Sequence, residues 1–279
     1  MTLCFGGLIV VKIDNDKYYT PIDLAKYCIN RTFEIIGREN ITEIIEPSAG
    51  NGSFSNQLDC IAYDLYPEDD KIIKQDFLEL DLSYKKGRLI IGNPPYGRVN
   101  NLAMAFYKKS ITLGDYIAFI LPISQLDNNI KMYEFDFIYS EDLGVRSYSG
   151  KMVHCCFNIY KRPINGVLNH KPNYKLRDIE IKEGRRGSSS RESKITKDIF
   201  DYDIAICAWG DGTCGKVIDY EGQYSTEFYI KIHNEKYKED VINFITNLKW
   251  KDNLKSTGGK KIQIWMMYKL LKENIIGIK

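Results

Sequence analysis

The stretch EIIEPSAGNGSFS, residues 43–55, decides which fold class this chain is expected to adopt. It joins a short apolar run to a glycine turn and then to a segment compatible with a helix. Gly50 and Gly52, two positions apart, allow the backbone to turn tightly and to come close to a ligand. We therefore expect a strand, a ligand-binding turn and a helix that presents its free N–H groups to the turn.

The glycine turn lacks two features of phosphate-binding loops. The third glycine of the dinucleotide fingerprint is missing, and no lysine follows in a G-x-x-x-x-G-K-[ST] pattern. The turn is therefore predicted to bind a nucleoside without a pyrophosphate group.

Short, β-branched apolar runs recur on both sides of this turn. They are ITEIIEP (41–47), CIAYDLY (60–66), KIIKQDF (71–77), RLIIGNPPY (88–96) and YIAFILP (116–122). Helix-compatible segments lie before or between them, at 21–40, 52–58, 101–113 and 123–134. Apolar runs that alternate with helices are typical of a parallel sheet covered on both faces. We predict an α/β fold, a Rossmann-like, doubly wound, mostly parallel sheet with a small α+β C-terminal extension.

Polar side chains end four consecutive predicted strands, namely Glu46, Asp64, Asp76 and Asn93. Ligands of parallel sheets bind at the carboxyl ends of the strands, so these residues mark a candidate crevice. Asp64 ends the strand after the glycine turn, where a carboxylate suits the two hydroxyls of a ribose. The alternative for Asp64 is a carboxylate that only stabilises a turn.

The NPPY sequence at residues 93–96 follows the apolar strand RLIIG directly. Two consecutive prolines hold the backbone extended and remove two N–H donors. The Asn93 side chain and the main-chain carbonyls can therefore accept hydrogen bonds from an amino group, and Tyr96 offers a flat face for stacking. The alternative is a turn that merely ends the sheet, which the glycine turn upstream makes less favoured.

In this order, over about residues 17–162, the motifs resemble those of the class I S-adenosylmethionine-dependent amino-methyltransferases, and among them the N6-adenine DNA methyltransferases. The resemblance implies that the cofactor is S-adenosyl-L-methionine and that it is contacted by Tyr19, Thr20 and Pro21 of YYTP, by Glu46, Ala49, Gly50, Asn51 and Gly52 of the glycine turn, by Asp64, by Asp76 and Phe77 of QDF, and by Asn93. It also implies that Asn93, Pro94, Pro95 and Tyr96 form the catalytic loop, and that residues 118–124 and 152–163 are the later strands of the sheet.

The reaction implied is direct transfer of a methyl group from a sulfonium to an exocyclic amine. Asn93 and the Pro94 carbonyl would bind the two amine hydrogens and orient the nitrogen lone pair. No metal and no covalent enzyme intermediate are expected, and a base in a duplex would first have to be flipped out. Phe157 and Tyr148 are the candidates for stacking on the second face of the base, with burial in the core as the alternative.

Four other functions stay open at this point. An RNA adenine or a protein glutamine would also fit a loop that grips a planar amine or amide. Cytosine N4 is less favoured, because that group more often has serine in place of Asn93. The chain could instead be a catalytically silent subunit that keeps the fold and binds nucleic acid for a partner.

Charge is distributed unevenly along the chain, whose formal net charge is +2. Residues 161–200 hold 11 Lys or Arg against 5 Asp or Glu, and they include the linker-like GRRGSSSRES. Such a segment is predicted to contact nucleic-acid phosphates, with Arg185, Arg186 and Arg191 as candidates. We expect a catalytic domain at 1–162, a basic linker at 163–200 and a small target-recognition or accessory region at 201–279. DNA, or RNA, is the expected partner, with a protein partner or a homodimer supplying specificity.

The chain shows no apolar run near the roughly 20 residues that a membrane helix needs. Its N-terminus has no secretory pattern, and its seven cysteines match no zinc framework. These features predict a reduced, cytoplasmic protein without a membrane partner.

Overall fold

The structure is a computed structural model that describes residues 18–185, 197–254, 256 and 260–279. Its backbone contacts divide the chain into two compact units. The first unit comprises residues 18–122 and 134–169, and the second comprises 123–133 with the described part of 170–279. This division differs from the predicted boundary at 162, because the segment 123–133 belongs to the second unit.

The first unit is built on a seven-stranded sheet with the order β3-β2-β1-β4-β5-β7-β6. The strands are β1 (Glu43–Glu46), β2 (Ile61–Asp64), β3 (Ile73–Lys74), β4 (Arg88–Gly92), β5 (Tyr116–Pro122), β6 (Asp136–Tyr148) and β7 (Lys151–Lys161). The first five pair in parallel, whereas β7 runs antiparallel to both β5 and β6. The predicted mostly parallel α/β sheet is confirmed.

Two helices accompany the sheet in the described part of the first unit, α1 (Ile22–Ile36) and α2 (Asn101–Leu113). Apolar residues recur along α1 at three- and four-residue intervals, so one face is buried. That face shares a core cluster with alternate residues of the strands, such as Leu89 and Ile91 of β4. On α2, Tyr107 is fully buried and its ring packs edge-on against Tyr160 of β7.

Two of the predicted helices are wrong. Residues 52–58 contain only the short 3₁₀ turn Ser55–Gln57, and residues 123–134 contain only the 3₁₀ turn Ile123–Gln125. The crossover between β1 and β2 is short, and a helix needs several turns before its hydrogen bonds offset the cost of nucleation.

The second unit contains a three-stranded antiparallel sheet with the order β8-β10-β9. Its elements are β8 (Ile179–Arg185), β9 (Ile204–Cys207), β10 (Thr226–Ile232), α3 (Lys238–Asn247), α4 (Trp250–Asn253) and α5 (Ile264–Asn274). The sheet and helices bury a common core that includes Ile230, Val241 and Met267. The predicted α+β extension is confirmed, although β8 lies in the predicted linker, where its buried Ile179 and Ile181 bind it into the sheet.

No helix among residues 18–185, 197–254 and 260–279 is long and apolar enough to cross a membrane. None of the six cysteines in the described part of the chain is in a disulfide.

Candidate active site

A cavity of about 390 Å³ opens in the first unit where β1, β2 and β4 end. This volume lies within the range of about 300–1,000 Å³ that small-molecule sites occupy. Its walls come from the N-terminal segment, the glycine turn, the ends of three strands and helix α2. The lining residues are Tyr18, Tyr19, Thr20, Glu46, Pro47, Ser48, Ala49, Gly50, Asn51, Ser53, Phe54, Asp64, Leu65, Tyr66, Gln75, Asp76, Phe77, Leu78, Asn93, Pro94, Pro95, Tyr96, Gly97, Leu102 and Phe106.

The cavity brings together nearly all residues that the motifs single out. The predicted cofactor and catalytic residues that line it are Tyr19, Thr20, Glu46, Ala49, Gly50, Asn51, Asp64, Asp76, Phe77, Asn93, Pro94, Pro95 and Tyr96. Pro21 and Gly52 do not line it. Pro21 instead precedes α1 and accepts a hydrogen bond from the Ala25 amide, while Gly52 shapes the turn. The roles assigned to all these residues stay predictions.

The glycine turn is held in place by the carboxylate of Asp64. Gly50 donates its backbone N–H to Asp64 Oδ2 at 2.8 Å, and Tyr66 donates to Asp64 Oδ1 at 2.7 Å. Gly50 and Gly52 have φ of 55° and 82°, which side-chain-bearing residues rarely adopt. Asp64 therefore stabilises the turn, and each of its oxygens keeps a second lone pair that can bind a ligand hydroxyl.

The N-terminal segment 18–20 lies across the glycine turn. The Tyr19 ring covers Gly50, where a Cβ would come within 3.3 Å of it, and the Tyr19 hydroxyl donates to Glu68. Ser53 donates its hydroxyl to the carbonyl of Thr20 at 2.7 Å. These contacts fix the segment as one wall of the cavity.

Glu46 occupies the position where a helix N-terminus had been expected to receive a ligand anion. The Ser55 amide, which starts the 3₁₀ turn, donates to Glu46 Oε2 at 2.8 Å. A carboxylate of the chain itself thus takes this free N–H group. Burial raises the pKa of Glu46 to about 7, and the nearby charge of Asp64 adds to this rise.

The charge of the cavity is negative. Glu46, Asp64 and Asp76 line it, and no Lys, Arg or His is among its described lining residues. Such a lining favours a cation and opposes the phosphates of a nucleotide. Sulfonium and ammonium groups fit this donor set, as does the sulfonium nucleoside S-adenosylmethionine, which carries both.

The Asn93 side chain is oriented by its NH₂ group. Asn93 Nδ2 donates to the Tyr18 carbonyl at 3.3 Å and to Thr20 Oγ1 at 3.2 Å. Asn93 Oδ1 is buried and has no hydrogen-bond partner among the described residues. Ser48 donates to the Asn93 carbonyl at 3.2 Å, which holds the backbone of the loop. The arrangement leaves a fixed acceptor without a donor.

Tyr96 is anchored by its hydroxyl, which lies 3.3 Å from the Cys155 sulfur of β7. Burial raises the pKa of Tyr96 well above its ordinary value, so the phenol stays neutral. Its ring lies nearly parallel to that of Tyr18, at an interplanar angle of 18°. Phe157 and Tyr148, the sequence candidates for a second stacking partner, are 0% and 1% exposed, so the core alternative is correct for both.

Phe77 and Asp76 lie on the opposite side of the cavity from the sequence position of the NPPY loop, after β3. Asp76 Oδ1 accepts a hydrogen bond from the Leu78 amide at 2.8 Å and thereby caps a 3₁₀ turn. The Phe77 ring stacks on Phe106 of α2, with centroids 5.3 Å apart. The aromatic pair makes this part of the wall apolar.

Several lining residues were missed by sequence reasoning. Tyr18 stands directly beside the YYTP residues that were singled out, and Ser53 stands inside the glycine-turn motif. Both could have been included from the same motifs. Phe106 and Leu102 carried no local signal, because α2 reaches the cavity only through packing on the sheet.

The predicted phosphate-binding arginines are only partly described. Arg185 ends β8, is exposed, and pairs with Glu183 at 2.7 Å. Arg186 and Arg191 lie outside the described residues. Nucleic-acid binding by these three residues stays a prediction.

Comparison with known proteins finds local similarity to methyltransferases. No protein-family model matches the chain. The type II methyltransferases M.HincII and M.HindII of Haemophilus influenzae are each 35% identical to it over 100 residues, which is 33% of this chain. The chain spans only 19% and 18% of the lengths of these two curated relatives. The structure of a candidate RNA methyltransferase from Pyrococcus horikoshii is similar with a TM-score of 0.42 and 14% identity, over 52% of this chain and 87% of that one.

Proposed function

We propose that this protein is an S-adenosylmethionine-dependent methyltransferase that acts on the N6 amino group of a flipped-out adenine in DNA. The first unit is the proposed catalytic domain. The second unit is the proposed target-recognition or accessory region, with a protein partner or a homodimer contributing specificity. The similarity of one third of the chain to two type II methyltransferases supports methyl transfer.

One observation carries the proposal. The buried, unpartnered Asn93 Oδ1 lies in the same acidic cavity as the glycine turn. A buried acceptor that lacks a donor costs about 1–3 kcal/mol, so the site is arranged to receive an N–H group. The Tyr18 carbonyl and the Thr20 hydroxyl bind the amide NH₂, and this leaves the oxygen as the group that meets the acceptor amine.

The residues of the chain would act by binding and orientation. When bound, S-adenosylmethionine supplies an activated methyl group on a positively charged sulfur. Asn93 Oδ1 and the Pro94 carbonyl accept the two amine hydrogens, so that the nitrogen lone pair points at the methyl carbon. The new N–C bond forms as the S–C bond breaks, the sulfur keeps that electron pair, and the amine proton leaves to water.

The acidic lining has a matching role. Glu46, buried at the end of β1, provides a negative charge at the cofactor end of the cavity. Asp64, which already holds the glycine turn, offers its remaining lone pairs to ribose hydroxyls. Both contributions favour a cationic nucleoside over a nucleotide.

DNA is favoured over the other acceptors by the order of the motifs, which resembles that of the N6-adenine DNA methyltransferases. RNA adenine, protein glutamine and cytosine N4 are the alternative acceptors. A silent nucleic-acid-binding subunit with this fold is the alternative without catalysis. Each gives a different result in the experiment below.

The test begins with calorimetric titration of the full chain with S-adenosylmethionine. Labelled methyl transfer is then measured side by side on unmethylated genomic DNA, total RNA and a protein extract, and modified positions in DNA are mapped by sequencing. We expect cofactor binding and transfer to adenine in DNA. Cofactor binding without transfer to any of the three substrates would support the silent subunit and contradict the proposal.

The variant Asn93→Ala separates chemistry from binding. It removes the fixed acceptor, and loss of one such preorganised group lowers the rate by about 10²–10³-fold. Its cofactor affinity should stay close to that of the unmodified chain, whereas Asp64→Ala should weaken cofactor binding. The matched control is Asn243→Ala, which removes an exposed amide in α3. Equal rates for Asn93→Ala and the unmodified chain would contradict the mechanism.

A further inference from the structure

We infer that the ring of Tyr18 is the second wall of a slot that holds a planar nucleobase against Tyr96, an inference that rests on the proposed function. Nothing in the motif order assigned this residue a role. It places the acceptor between two tyrosines of the first unit and makes Tyr18 a specificity-determining residue.

The spacing of the two rings supports this assignment. Their centroids are 6.4 Å apart and their planes are inclined by only 18°. Neighbouring bases in a nucleic-acid strand stack about 3.4 Å apart, so a base with a ring on each face needs about 6.8 Å. The two tyrosines are therefore within a few tenths of an ångström of the spacing that a sandwiched base requires.

Both walls are held from behind. The hydroxyl of Tyr96 is anchored near Cys155, whereas its ring is only half-buried. The Lys151 ammonium lies over the Tyr18 ring at 4.8 Å from its centroid. The next amide along the chain, that of Tyr19, donates to Ser149 Oγ at 2.9 Å. The turn between β6 and β7 thus supports Tyr18 through both side chain and backbone.

The slot is coupled to the acceptor of the proposed reaction. The carbonyl of Tyr18 accepts a hydrogen bond from the same Asn93 amide whose oxygen is left unpartnered. One residue therefore supplies a wall of the slot and fixes the group that would bind the amine. A flat heteroaromatic ring with an exocyclic amine fills both features at once.

This geometry discriminates between the classes of acceptor. The side-chain amide of glutamine could use Asn93, but it has too small a planar surface to contact two aromatic walls. Adenine in DNA or RNA gains about 1–3 kcal/mol from each aromatic contact. The inference therefore favours a nucleobase over a protein side chain.

The experiment compares Tyr18→Ala, Tyr18→Leu and Tyr18→Phe with the unmodified chain. Single-turnover transfer of a labelled methyl group to unmethylated genomic DNA is measured, with cofactor affinity from calorimetry as the second readout. We expect Tyr18→Ala and Tyr18→Leu to lower the rate at subsaturating DNA about tenfold or more, and Tyr18→Phe to stay within about threefold, because only the aromatic face is needed. Cofactor affinity should remain within about threefold in all of them, because each keeps the carbonyl that orients Asn93.

The variant Tyr220→Ala, which removes an exposed tyrosine of the second unit, is the matched control. Unchanged transfer by Tyr18→Leu would overturn the inference and leave the proposed function intact. Transfer by the unmodified chain to protein glutamine but not to nucleic acid would also overturn it. Absence of transfer to any substrate by the unmodified chain would instead contradict the proposed function itself.

Discussion

Two glycine-rich loops of this protein, one in each unit, line cavities of opposite charge. The first, EPSAGNG at 46–52, lines the cavity that contains Glu46, Asp64 and Asp76. The second, WGDGTCGK at 209–216, contributes to a cavity of about 730 Å³ in the second unit, whose walls include three exposed lysines. Those lysines are Lys216, Lys249 and Lys251.

The two loops use their glycines differently. Gly50 turns the backbone so that its amide reaches Asp64 and its surface faces Tyr19. Gly215 is a packing residue, because a Cβ there would lie 2.0 Å from Cδ1 of the buried Trp250. The second loop forms a hairpin after β9, in which the Gly215 amide donates to the Cys207 carbonyl at 2.8 Å. Glycine spacing alone thus does not distinguish a ligand turn from a structural hairpin.

The largest effect that would sharpen this comparison is on stability. We predict that Gly215→Ala lowers the free energy of unfolding by about 2–4 kcal/mol, because it combines overpacking against Trp250 with a strained φ of 86°. Gly212→Ala in the same loop, where φ is 69° and nothing lies within 4 Å, should cost about 1 kcal/mol. Urea unfolding measures both. Equal losses would show that packing on Trp250 is not the reason for this glycine.

The next effect concerns the acidic cavity and its pH dependence. With the pKa of Glu46 raised to about 7 by burial, its charge is lost as the pH falls through 7. A cationic cofactor should therefore bind more weakly below this pH, by up to about tenfold per pH unit, and Glu46→Gln should bind it about 10–100-fold more weakly with a flat profile. Calorimetry from about pH 5.5 to 8.5 measures this. The same steep profile in Glu46→Gln would assign the titration to another group.

Glu46 also affects the stability of the ligand-free chain, with a defined sign. A carboxyl whose pKa is raised on folding contributes stability below its ordinary pKa and loses that contribution as the pH rises through about 7. Glu46→Gln, which cannot ionise, should therefore be more stable than the unmodified chain at about pH 8 and not at about pH 4. This stability readout makes it possible to separate loss of charge from loss of fold.

The smallest effect is expected in the lysine-lined cavity. Replacing Lys216, Lys249 and Lys251 together by Gln should change the affinity for S-adenosylmethionine by less than about twofold, since exposed charges are screened by salt. Calorimetry at physiological ionic strength measures this. A decrease of about tenfold or more would indicate that the second unit contributes to cofactor binding, and the contrast between the two cavities would fail.

The sequence predicted the sheet and most of the site because both depend on local patterns. Five apolar runs gave β1 to β5, and the polar residue at the end of each run pointed to the cavity, as with Asp64 and Asn93. It failed at 52–58 and 123–134, where helix-compatible composition was not followed by a helix. It also failed to identify Phe106, which reaches the cavity only through the packing of α2.

By itself, the sequence determined which chemical groups stand at the carboxyl edge of the sheet, because strand periodicity and proline rigidity are properties of neighbouring residues. Only the tertiary structure decided how those groups are paired. The amide of Asn93 has one oriented and one unpartnered end because residues 18–20 cross it from 73 or more positions away. In the same way, Tyr18 faces Tyr96 because folding brings distant segments together, which no local pattern can encode.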